Sequence, residues 1–287
     1  MERIDLGEYR KSGEGAIGES YDSLTDPTVM VKLNHPGYPI EPIARELDFA
    51  RKLCKLGIPT PEPGELVTDG ERYGIRFRRI LGKRSYCRMM ADEPERVEEF
   101  SRDFARRCRK FHTVHCEKGL FPDAKEQFRM YLDKDRYFNA SEKRVIADFI
   151  DSVPDGNVCL HGDMHIGNII STLPKGAPMA TEHNVYFIDL GAAACGSPLW
   201  DLCMMLQVCV YAEPSYIEES LHIDKPTAIR CWEFFVDEYF DHKYTPAEAE
   251  AMLKPYVACK ELFIEYIAGF LPEKLQQTVR DVFGFKL

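Results

Sequence analysis

Two polar stretches, each next to a short apolar run, carry the side chains best suited to chemistry. Asp163 and Asn168 follow Cys159-Leu160, and Asp189 follows the run from Tyr186 to Ile188. Short apolar runs are typical of buried strands, and polar side chains at strand ends are where proteins commonly display chemistry. Two carboxylates and an amide suit phosphoryl transfer, in which a carboxylate orients the attacking hydroxyl and an Asn and a second Asp bind Mg²⁺. We therefore predict Asp163 as the base and Asn168 with Asp189 as metal ligands.

The stretch around Asp163 also contains two histidines that fit other chemistry. His161 and His165 are four residues apart and would form a zinc-binding pair on a helix, as in metal-dependent hydrolases, although Gly162 and Gly167 argue against a helix. A polar turn between two core strands would explain both glycines. It would not explain why three oxygen-bearing side chains all follow strands.

Composition limits the classes of partner. The chain has 287 residues, enough for one large domain or two lobes, and a formal net charge of −10. This charge disfavours nucleic acid and anionic membranes, since both would be repelled at long range. A neutral or cationic small molecule fits more easily.

The cysteines and the N-terminus predict a cytoplasmic protein. Ten cysteines are scattered without a Cys-x-x-Cys pair, as expected for buried thiols in a reducing compartment. Met1–Asp5 lacks an apolar targeting core, and the longest apolar run, Leu202–Ala212, is too short to span a membrane.

The first 33 residues alternate polar and apolar positions, as β-hairpins do, and contain Gly13-x-Gly15-x-x-Gly18. A turn-rich stretch follows instead of the helix that a dinucleotide fold requires. A glycine loop between two strands can place backbone N–H groups over phosphates, but an ordinary hairpin turn is also compatible with the pattern.

Lys32 ends the apolar β-run that begins at Val29, where an unpaired ammonium group would be costly. The next predicted helix, Ile43 to Leu56, provides Glu46 as a partner on its amphipathic surface. The alternative is that Glu46 belongs to a solvated helix face.

Strand patterns end shortly before residue 83. Two strands, Glu65 to Thr68 and Arg72 to Ile80, are separated by the turn signal Asp69-Gly70. Helical periodicity dominates afterwards, so we predict a boundary between residues 1–82 and 83–287. The helices are predicted near 94–117, 123–135, 141–152, 215–222, 226–241, 246–267 and 272–284.

Asp163, then Asn168 five positions later, then Asp189-Leu190-Gly191 resemble the catalytic and metal-binding loops of protein-kinase-like phosphotransferases. His161-Gly162-Asp163, in place of His-Arg-Asp, is similar to the aminoglycoside phosphotransferase and choline kinase branch. The resemblance implies an α+β, protein-kinase-like two-lobed fold. Its N-lobe (1–82) would be β-rich with one helix and bind the nucleotide, and its mostly α-helical C-lobe (83–287) would be catalytic and bind the acceptor.

The same resemblance implies roles for further residues. Glu46 would steady Lys32 against the α- and β-phosphates of ATP or GTP, and Asp201 and His161 would brace the catalytic loop. The remaining nucleotide contacts would come from the glycine loop and the hinge, namely Gly13, Gly15, Gly18, the carbonyl of Arg78 and the N–H of Ile80. Ser20 departs from the family pattern, which has Val at this position.

The implied function is ATP- and Mg²⁺-dependent phosphorylation of a small-molecule hydroxyl, on an aminoglycoside, a choline-like amino alcohol or a sugar. A nucleotide-binding pseudokinase without turnover is the alternative, followed by a metal-dependent hydrolase. No protein substrate is expected, because only four residues separate Asp189-Leu190-Gly191 from Gly196-Ser197-Pro198.

Overall fold

The computed structural model describes residues 1–15, 17–179 and 184–285 of the chain. The chain divides into two compact units, each assembled from separate stretches of sequence. The first comprises Met1–Arg96, Ile166–Ala192 and Glu218–Ile223, and the second comprises Val97–His165, Ala193–Ile217 and Asp224–Leu287. The first unit thus continues past the boundary predicted from the strand pattern. The functional roles given to residues 1–82 and 83–287 stay predictions.

The first unit is built on a six-stranded sheet with the order β1-β5-β6-β4-β3-β2. β1 pairs with β5 in parallel, and all other neighbouring strands are antiparallel. The strands are β1 (Glu2–Arg3), β2 (Tyr9–Gly15), β3 (Gly18–Ser23), β4 (Val29–Asn34), β5 (Pro63–Thr68) and β6 (Tyr73–Arg78).

The central strand β4 has a different environment on each face. Val31 and Leu33 pack with Ile4 and Val67 in one buried cluster. Because successive side chains of a strand point to opposite faces, Lys32 lies on the other face.

Helix α1 (Ile40–Lys55) covers the face on which Lys32 lies. Its residues Ile43 and Leu47 pack against Ile75, which is the register partner of Lys32 across the β4-β6 pair. This packing brings the helix over the lysine.

A second, antiparallel sheet of the first unit has the order β10-β9-β7. Its strands are β7 (Arg84–Ser85), β9 (Ile169–Ser171) and β10 (Val185–Phe187). Helix α2 (Tyr86–Asp92) follows β7, and the Ser85 side chain caps it by accepting a hydrogen bond from the Arg88 N–H.

The second unit is mostly helical. Its helices are α3 (Val97–Phe111), α4 (Ala124–Lys134), α5 (Ala140–Ser152), α6 (Leu199–Leu206), the short α7 (Pro214–Tyr216), α8 (Lys225–Tyr239), α9 (Pro246–Ala268) and α10 (Glu273–Phe283). Helix α6 continues into a π-helical turn, Gln207–Tyr211. A small antiparallel sheet of β8 (Val158–Leu160) and β11 (Ala194–Gly196) supports the loop that contains Asp163.

Aromatic packing ties the helices of the second unit together. The rings of Phe128 and Trp200 stack with their centroids 4.2 Å apart, which joins α4 to α6. Those of Phe104 and Phe235 lie 5.5 Å apart and join α3 to α8. The β-rich beginning with one long helix, followed by a mostly helical remainder, confirms the predicted α+β class.

Two further findings concern the length of the helices and the state of the cysteines. In the part that the structure describes, no helix has both the length and the apolar character needed to cross a membrane. All ten cysteines are free, and nine of them are buried.

Candidate functional site

One group of candidate residues, in the first unit, is centred on Lys32. Its Nζ donates a hydrogen bond to Glu46 Oε1 at 2.9 Å, so the predicted ion pair is present. Nζ also donates to the carboxylate of Asp189, which the sequence did not predict. Lys32 therefore lies between two acidic side chains. Glu46 belongs to α1, and Asp189 follows shortly after the end of β10.

The two carboxylates keep Lys32 charged. Burial alone would lower the pKa of the Lys32 ammonium, but Asp189 and Glu46 outweigh burial and raise this pKa well above its usual range. The side chain is consequently a fixed cation at every physiological pH. A half-buried, preorganised cation of this kind is suited to contact phosphate oxygens.

Asn168 and Asp189 come together at one end of the β9-β10 pair. Asn168 directly precedes β9, and the N–H of Ile188 donates to its carbonyl oxygen at 3.0 Å, which holds the two strand ends side by side. Asp189 has a left-handed backbone with φ of 60°. Non-glycine residues in this conformation often occur at functional sites.

The chemistry of this pair fits Mg²⁺. The Asn168 side chain ends in an amide and Asp189 in a carboxylate, and both offer the oxygen donors that Mg²⁺ prefers. The Asp189 side chain is 45% exposed, so its carboxylate is accessible. Within residues 1–15, 17–179 and 184–285, no group of three or more His, Cys, Asp and Glu side chains is arranged to hold a metal ion. Mg²⁺ commonly binds through only one or two protein carboxylates, with water and phosphate completing its coordination.

The three glycines lie on the β2-β3 hairpin. Gly15 and Gly18 face each other in the strand register, and Gly13 pairs with Ser20. At Gly18 a Cβ atom would lie 2.4 Å from the carbonyl oxygen of Leu33, so close packing of β3 against β4 requires glycine there. Phosphate binding by this hairpin stays a prediction.

The predicted hinge lies at the end of β6. The N–H of Arg78 donates to the Glu62 carbonyl at 2.9 Å, and the N–H of Arg79 donates to that of Thr28 at 2.7 Å. These bonds fix the backbone just before Ile80. Adenine recognition by the Arg78 carbonyl and the Ile80 N–H stays a prediction.

A second group of candidate residues, in the second unit, lies on the loop after β8. Asp201, on α6, is fully buried, and its two carboxylate oxygens accept the backbone N–H groups of His161 and Gly162, each at 2.7 Å. Gly162 has a φ of 80°, which favours glycine because other residues are strained there. Asp201 therefore holds the loop from beneath, at the residues that precede Asp163.

Asp163 is itself oriented within this loop. Its N–H donates to His161 Nδ1 at 3.3 Å, and its Oδ2 lies 3.7 Å from His165 Nε2. Burial raises the pKa of the Asp163 carboxyl, but His165, His161 and Lys260 lower it more, so the net pKa is well below its usual range. The group is ionised at neutral pH, and its side chain is still 38% exposed.

His112 was not predicted as part of the site. Its Nε2 donates to Asp201 Oδ2 at 3.1 Å, and its Nδ1 shares a hydrogen bond with the hydroxyl group of Tyr239 at 2.8 Å. Burial raises the pKa of the Asp201 carboxyl, but His112 and His161 lower it more, and the net pKa is below the usual value. Lys260 was also missed, and it donates to the Gly162 carbonyl at 2.6 Å. Both contacts join residues far apart in the sequence, so no local pattern indicates them.

The zinc alternative receives no support from His161. Its ring is fully buried, and its Nδ1 already accepts the N–H of Asp163. Among the described residues, no group of three or more His, Cys, Asp and Glu side chains surrounds it to complete a zinc site. That His161 braces the loop stays a prediction.

Comparison with known proteins identifies one matching family model. Residues 8–235 match the model of a family described as "Phosphotransferase enzyme family". No curated protein matches the chain.

Several solved structures are similar in fold. An aminoglycoside-3'-phosphotransferase of type VIII is 18% identical, with a TM-score of 0.57 over 89% of this chain and 93% of that one. The ADP-bound aminoglycoside phosphotransferase APH(2'')-Ib is 17% identical, with a TM-score of 0.58 over 97% and 93%. A thermostable mutant of aminoglycoside phosphotransferase APH(4)-Ia, solved with ADP and hygromycin B, is 10% identical, with a TM-score of 0.62 over 96% and 93%. At these identities the likeness is one of fold, and it confirms the predicted protein-kinase-like fold.

Proposed function

The chain belongs to the phosphotransferase enzyme family, and on this basis we propose that it transfers the γ-phosphoryl group of ATP to a hydroxyl group of a small molecule, with Mg²⁺ as cofactor. The observation that carries the proposal is the half-buried Lys32, which is paired with both Glu46 and Asp189. In protein-kinase-like enzymes a lysine paired with a helix Glu contacts the nucleotide phosphates, and a neighbouring Asp binds the metal.

We assign nucleotide binding to the first unit. Lys32 would contact the α- and β-phosphates, and Glu46, which is 10% exposed at its side chain, would keep the ammonium group in place. The other contacts proposed for the nucleotide are the backbone groups of Gly13, Gly15, Gly18, Arg78 and Ile80. The nucleotides named with two of the similar structures, ADP in both cases, support a nucleotide of this kind.

Asn168 and Asp189 would hold Mg²⁺ through their side-chain oxygens. The bound ion would supply positive charge to the phosphate oxygens as negative charge develops during transfer. Asp189 has a left-handed backbone, and its carboxylate is both accessible and adjacent to Lys32. This neighbourhood supports its assignment as a metal ligand.

Asp163 would orient the acceptor hydroxyl and take its proton. Its carboxylate is ionised at neutral pH, because nearby positive groups hold its pKa low. A carboxylate with a low pKa is a weak base, but a phosphoryl transfer with a loose transition state needs positioning of the hydroxyl more than strong basicity. Asp201 and His161 would keep the loop in the conformation that presents Asp163.

The acceptor is proposed to be an aminoglycoside, a choline-like amino alcohol or a sugar. Hygromycin B, named with one of the similar structures, supports the first class. The net charge of −10 favours cationic acceptors, since these are attracted at long range. The ten free cysteines support the cytoplasm as the proposed location.

The proposal predicts that Asp163→Asn lowers kcat by about 10²–10⁴, the usual contribution of a positioned base. Transfer of ³²P from [γ-³²P]ATP would be measured against a panel of aminoglycosides, amino alcohols, choline and sugars. The variant should retain MgATP binding, measured by calorimetry, because the proposed nucleotide contacts belong to other residues.

Asp133→Asn on α4 is the matched control, since Asp133 is an exposed Asp of the same unit. It should keep the parent kcat. Equal kcat for parent and Asp163→Asn would exclude Asp163 as the base. MgATP binding without transfer to any member of the panel would favour the pseudokinase alternative.

A further inference from the structure

The peptide group between Gly162 and Asp163 is held at both of its polar atoms. Its carbonyl oxygen, on Gly162, accepts a hydrogen bond from Lys260 Nζ at 2.6 Å. Its N–H, on Asp163, donates to His161 Nδ1 at 3.3 Å. Asp201 holds the preceding peptide group through the N–H of Gly162. The backbone that carries the Asp163 side chain is therefore fixed from helix α9 as well as from α6.

We propose that Lys260 is a positioning residue, which sets the direction of the Asp163 side chain by holding the Gly162 carbonyl. Nothing in the sequence around Lys260 indicates this role. It depends on a contact between residues separated by 98 positions.

Lys260 is buried between aromatic rings, where an apolar side chain would also pack. The residue is 6% exposed, and its Nζ lies 5.6 Å from the ring centroid of Phe128 and 5.4 Å from that of Phe263. An ammonium group is costly to bury, whereas an apolar side chain of similar length would pack against the same rings without that cost. The hydrogen bond to Gly162 and the two aromatic faces offset this cost, and the bond is the only one of these contacts that reaches the catalytic loop.

The conformation of Gly162 makes this contact important. With a φ of 80° the residue lies in the left-handed region, and glycine has access to many other conformations. Charged groups on its N–H and on its C=O, from Asp201 and Lys260, restrict it to one of them. Small displacements of a catalytic group have large effects on rate, so a loosened carbonyl at this position would misdirect Asp163.

Lys260 also adds a positive charge near the Asp163 carboxylate. Burial raises the pKa of that carboxyl, while His165, His161 and Lys260 together lower it further than burial raises it. Lys260 is the one of these three that comes from a different element. The same side chain thus supports both the direction and the ionised state of Asp163.

The inference rests on the proposed function, in which Asp163 orients the acceptor hydroxyl. Its test is a double-mutant cycle of Lys260→Met and Asp163→Asn, measured as ³²P transfer from [γ-³²P]ATP to whichever panel alcohol the parent phosphorylates. Lys260→Met alone should lower kcat about 10–100-fold, the loss expected from one charge-assisted hydrogen bond, with KM for MgATP and for the alcohol within twofold of the parent. In the Asp163→Asn background it should lower the residual kcat less than threefold, because a residue that acts through Asp163 has no effect once that carboxylate is removed.

Lys254→Met is the matched control, since Lys254 is an exposed lysine on the same helix, and it should keep the parent kcat. Circular dichroism and thermal unfolding would establish that each variant is folded. If Lys260→Met does not fold, Lys260→Leu, which also removes the donor and can pack against the same rings, takes its place in the cycle.

The outcomes separate the inference from the function on which it rests. Full activity of Asp163→Asn would reject the assigned base and, with it, the role of Lys260. An inactive Asp163→Asn together with a fully active Lys260→Met would reject the inference alone. Equal losses from Lys260→Met in the parent and in the Asp163→Asn background would also overturn it, since they would mean that Lys260 supports the fold independently of Asp163.

Discussion

The two acidic partners of Lys32 differ in how accessible they are. The Glu46 side chain is 10% exposed, whereas that of Asp189 is 45% exposed. A ligand can therefore approach the carboxylate of Asp189 while Glu46 stays with the lysine. This difference at the level of single residues supports the proposal that Asp189 binds the metal and that Glu46 holds Lys32 in place.

Replacing Asp189 tests this division of roles. Without Asp189 the proposed Mg²⁺ loses its carboxylate ligand, so Asp189→Ala should remove the extra thermal stabilisation that ATP gives in Mg²⁺ relative to EDTA. The measurement is Tm with and without ATP, in each of the two buffers.

Asp48→Ala is the control for that experiment, because Asp48 is an exposed Asp on α1 whose partner is Lys52. It should behave as the parent does. The metal assignment would be wrong if Asp189→Ala kept the same Mg²⁺-dependent stabilisation by ATP.

Glu261 provides a prediction about pH. Its Oε1 accepts a hydrogen bond from Gln207 Nε2 at 3.2 Å, and its Oε2 has no hydrogen-bond partner among the residues that the structure describes. Burial raises the pKa of the carboxyl to about 7. An ordinary Glu in the unfolded chain has a pKa near 4.5. Stability from this group is thus fully present below that value and is lost as the pH rises through 7.

Glu261→Gln should therefore be close to the parent in stability at pH 4.5 and more stable than the parent at pH 8.5. The difference at pH 8.5 is on the order of 3 kcal/mol, given about 1.4 kcal/mol per pKa unit. Urea unfolding at the two pH values measures it, with the exposed Glu233→Gln as control. A stability difference between variant and parent that does not change with pH would contradict the raised pKa.

At the level of secondary structure, the β2-β3 hairpin contains one glycine that packing requires and one that it does not. A Cβ at Gly18 would lie 2.4 Å from the Leu33 carbonyl oxygen, whereas the nearest atom to a Cβ at Gly13 is Ser20 Cβ at 3.5 Å, an ordinary contact. The two glycines of one motif thus have different physical reasons to be present.

Gly18→Ala should destabilise the protein by about 1–3 kcal/mol, the usual cost of overpacking. Gly13→Ala in the same hairpin should cost less than about 0.5 kcal/mol, as do most substitutions away from tight contacts. Urea unfolding at neutral pH measures both. Equal losses for the two variants would mean that strain elsewhere in the hairpin, and not the contact with β4, determines the requirement for glycine.

Local patterns predicted the elements whose signals lie within a few residues, such as the hairpin at Asp69-Gly70 and most of α1. They did not predict β7 or α2, because a two-residue strand and a seven-residue helix are too short to show a period. The predicted extension of α3 to residue 117 was wrong. The chain leaves the helix after Phe111, and His115 pairs with Val158 instead, so that tertiary pairing overrides an apolar period.

Some contacts of the candidate residues could be predicted from the sequence, and others could not. Lys32 and Glu46 could be paired from the sequence because a strand and the next helix commonly pack together. The contacts His112–Asp201 and Lys260–Gly162 join residues 89 and 98 positions apart. Only the folded chain determines which of many polar helix residues reaches the catalytic loop.

At the level of the whole molecule, little chain is available to hold a peptide substrate after Asp189. Residues Leu190–Ala192 form a 3₁₀ turn, and Ala194–Gly196 then pair with β8 as strand β11. Protein kinases use a longer segment here to bind an extended peptide.

We therefore expect ³²P transfer from [γ-³²P]ATP to small alcohols and none to a panel of proteins. Phosphorylation of proteins would be measured by electrophoresis and autoradiography, with Asp163→Asn as the blank. Transfer to proteins that depends on Asp163, with none to small alcohols, would overturn the prediction.

The division of the chain into interleaved units has a consequence for its synthesis. The first unit begins with Met1–Arg96 but also requires Ile166–Ala192 and Glu218–Ile223, so it cannot be completed while the ribosome is still adding the residues between them. At 5–20 residues per second, that wait lasts roughly 6–25 s, and for most of it Lys32 has Glu46 as a partner but not yet Asp189. The pair of carboxylates around Lys32 is therefore completed only after residue 189 has been added to the chain.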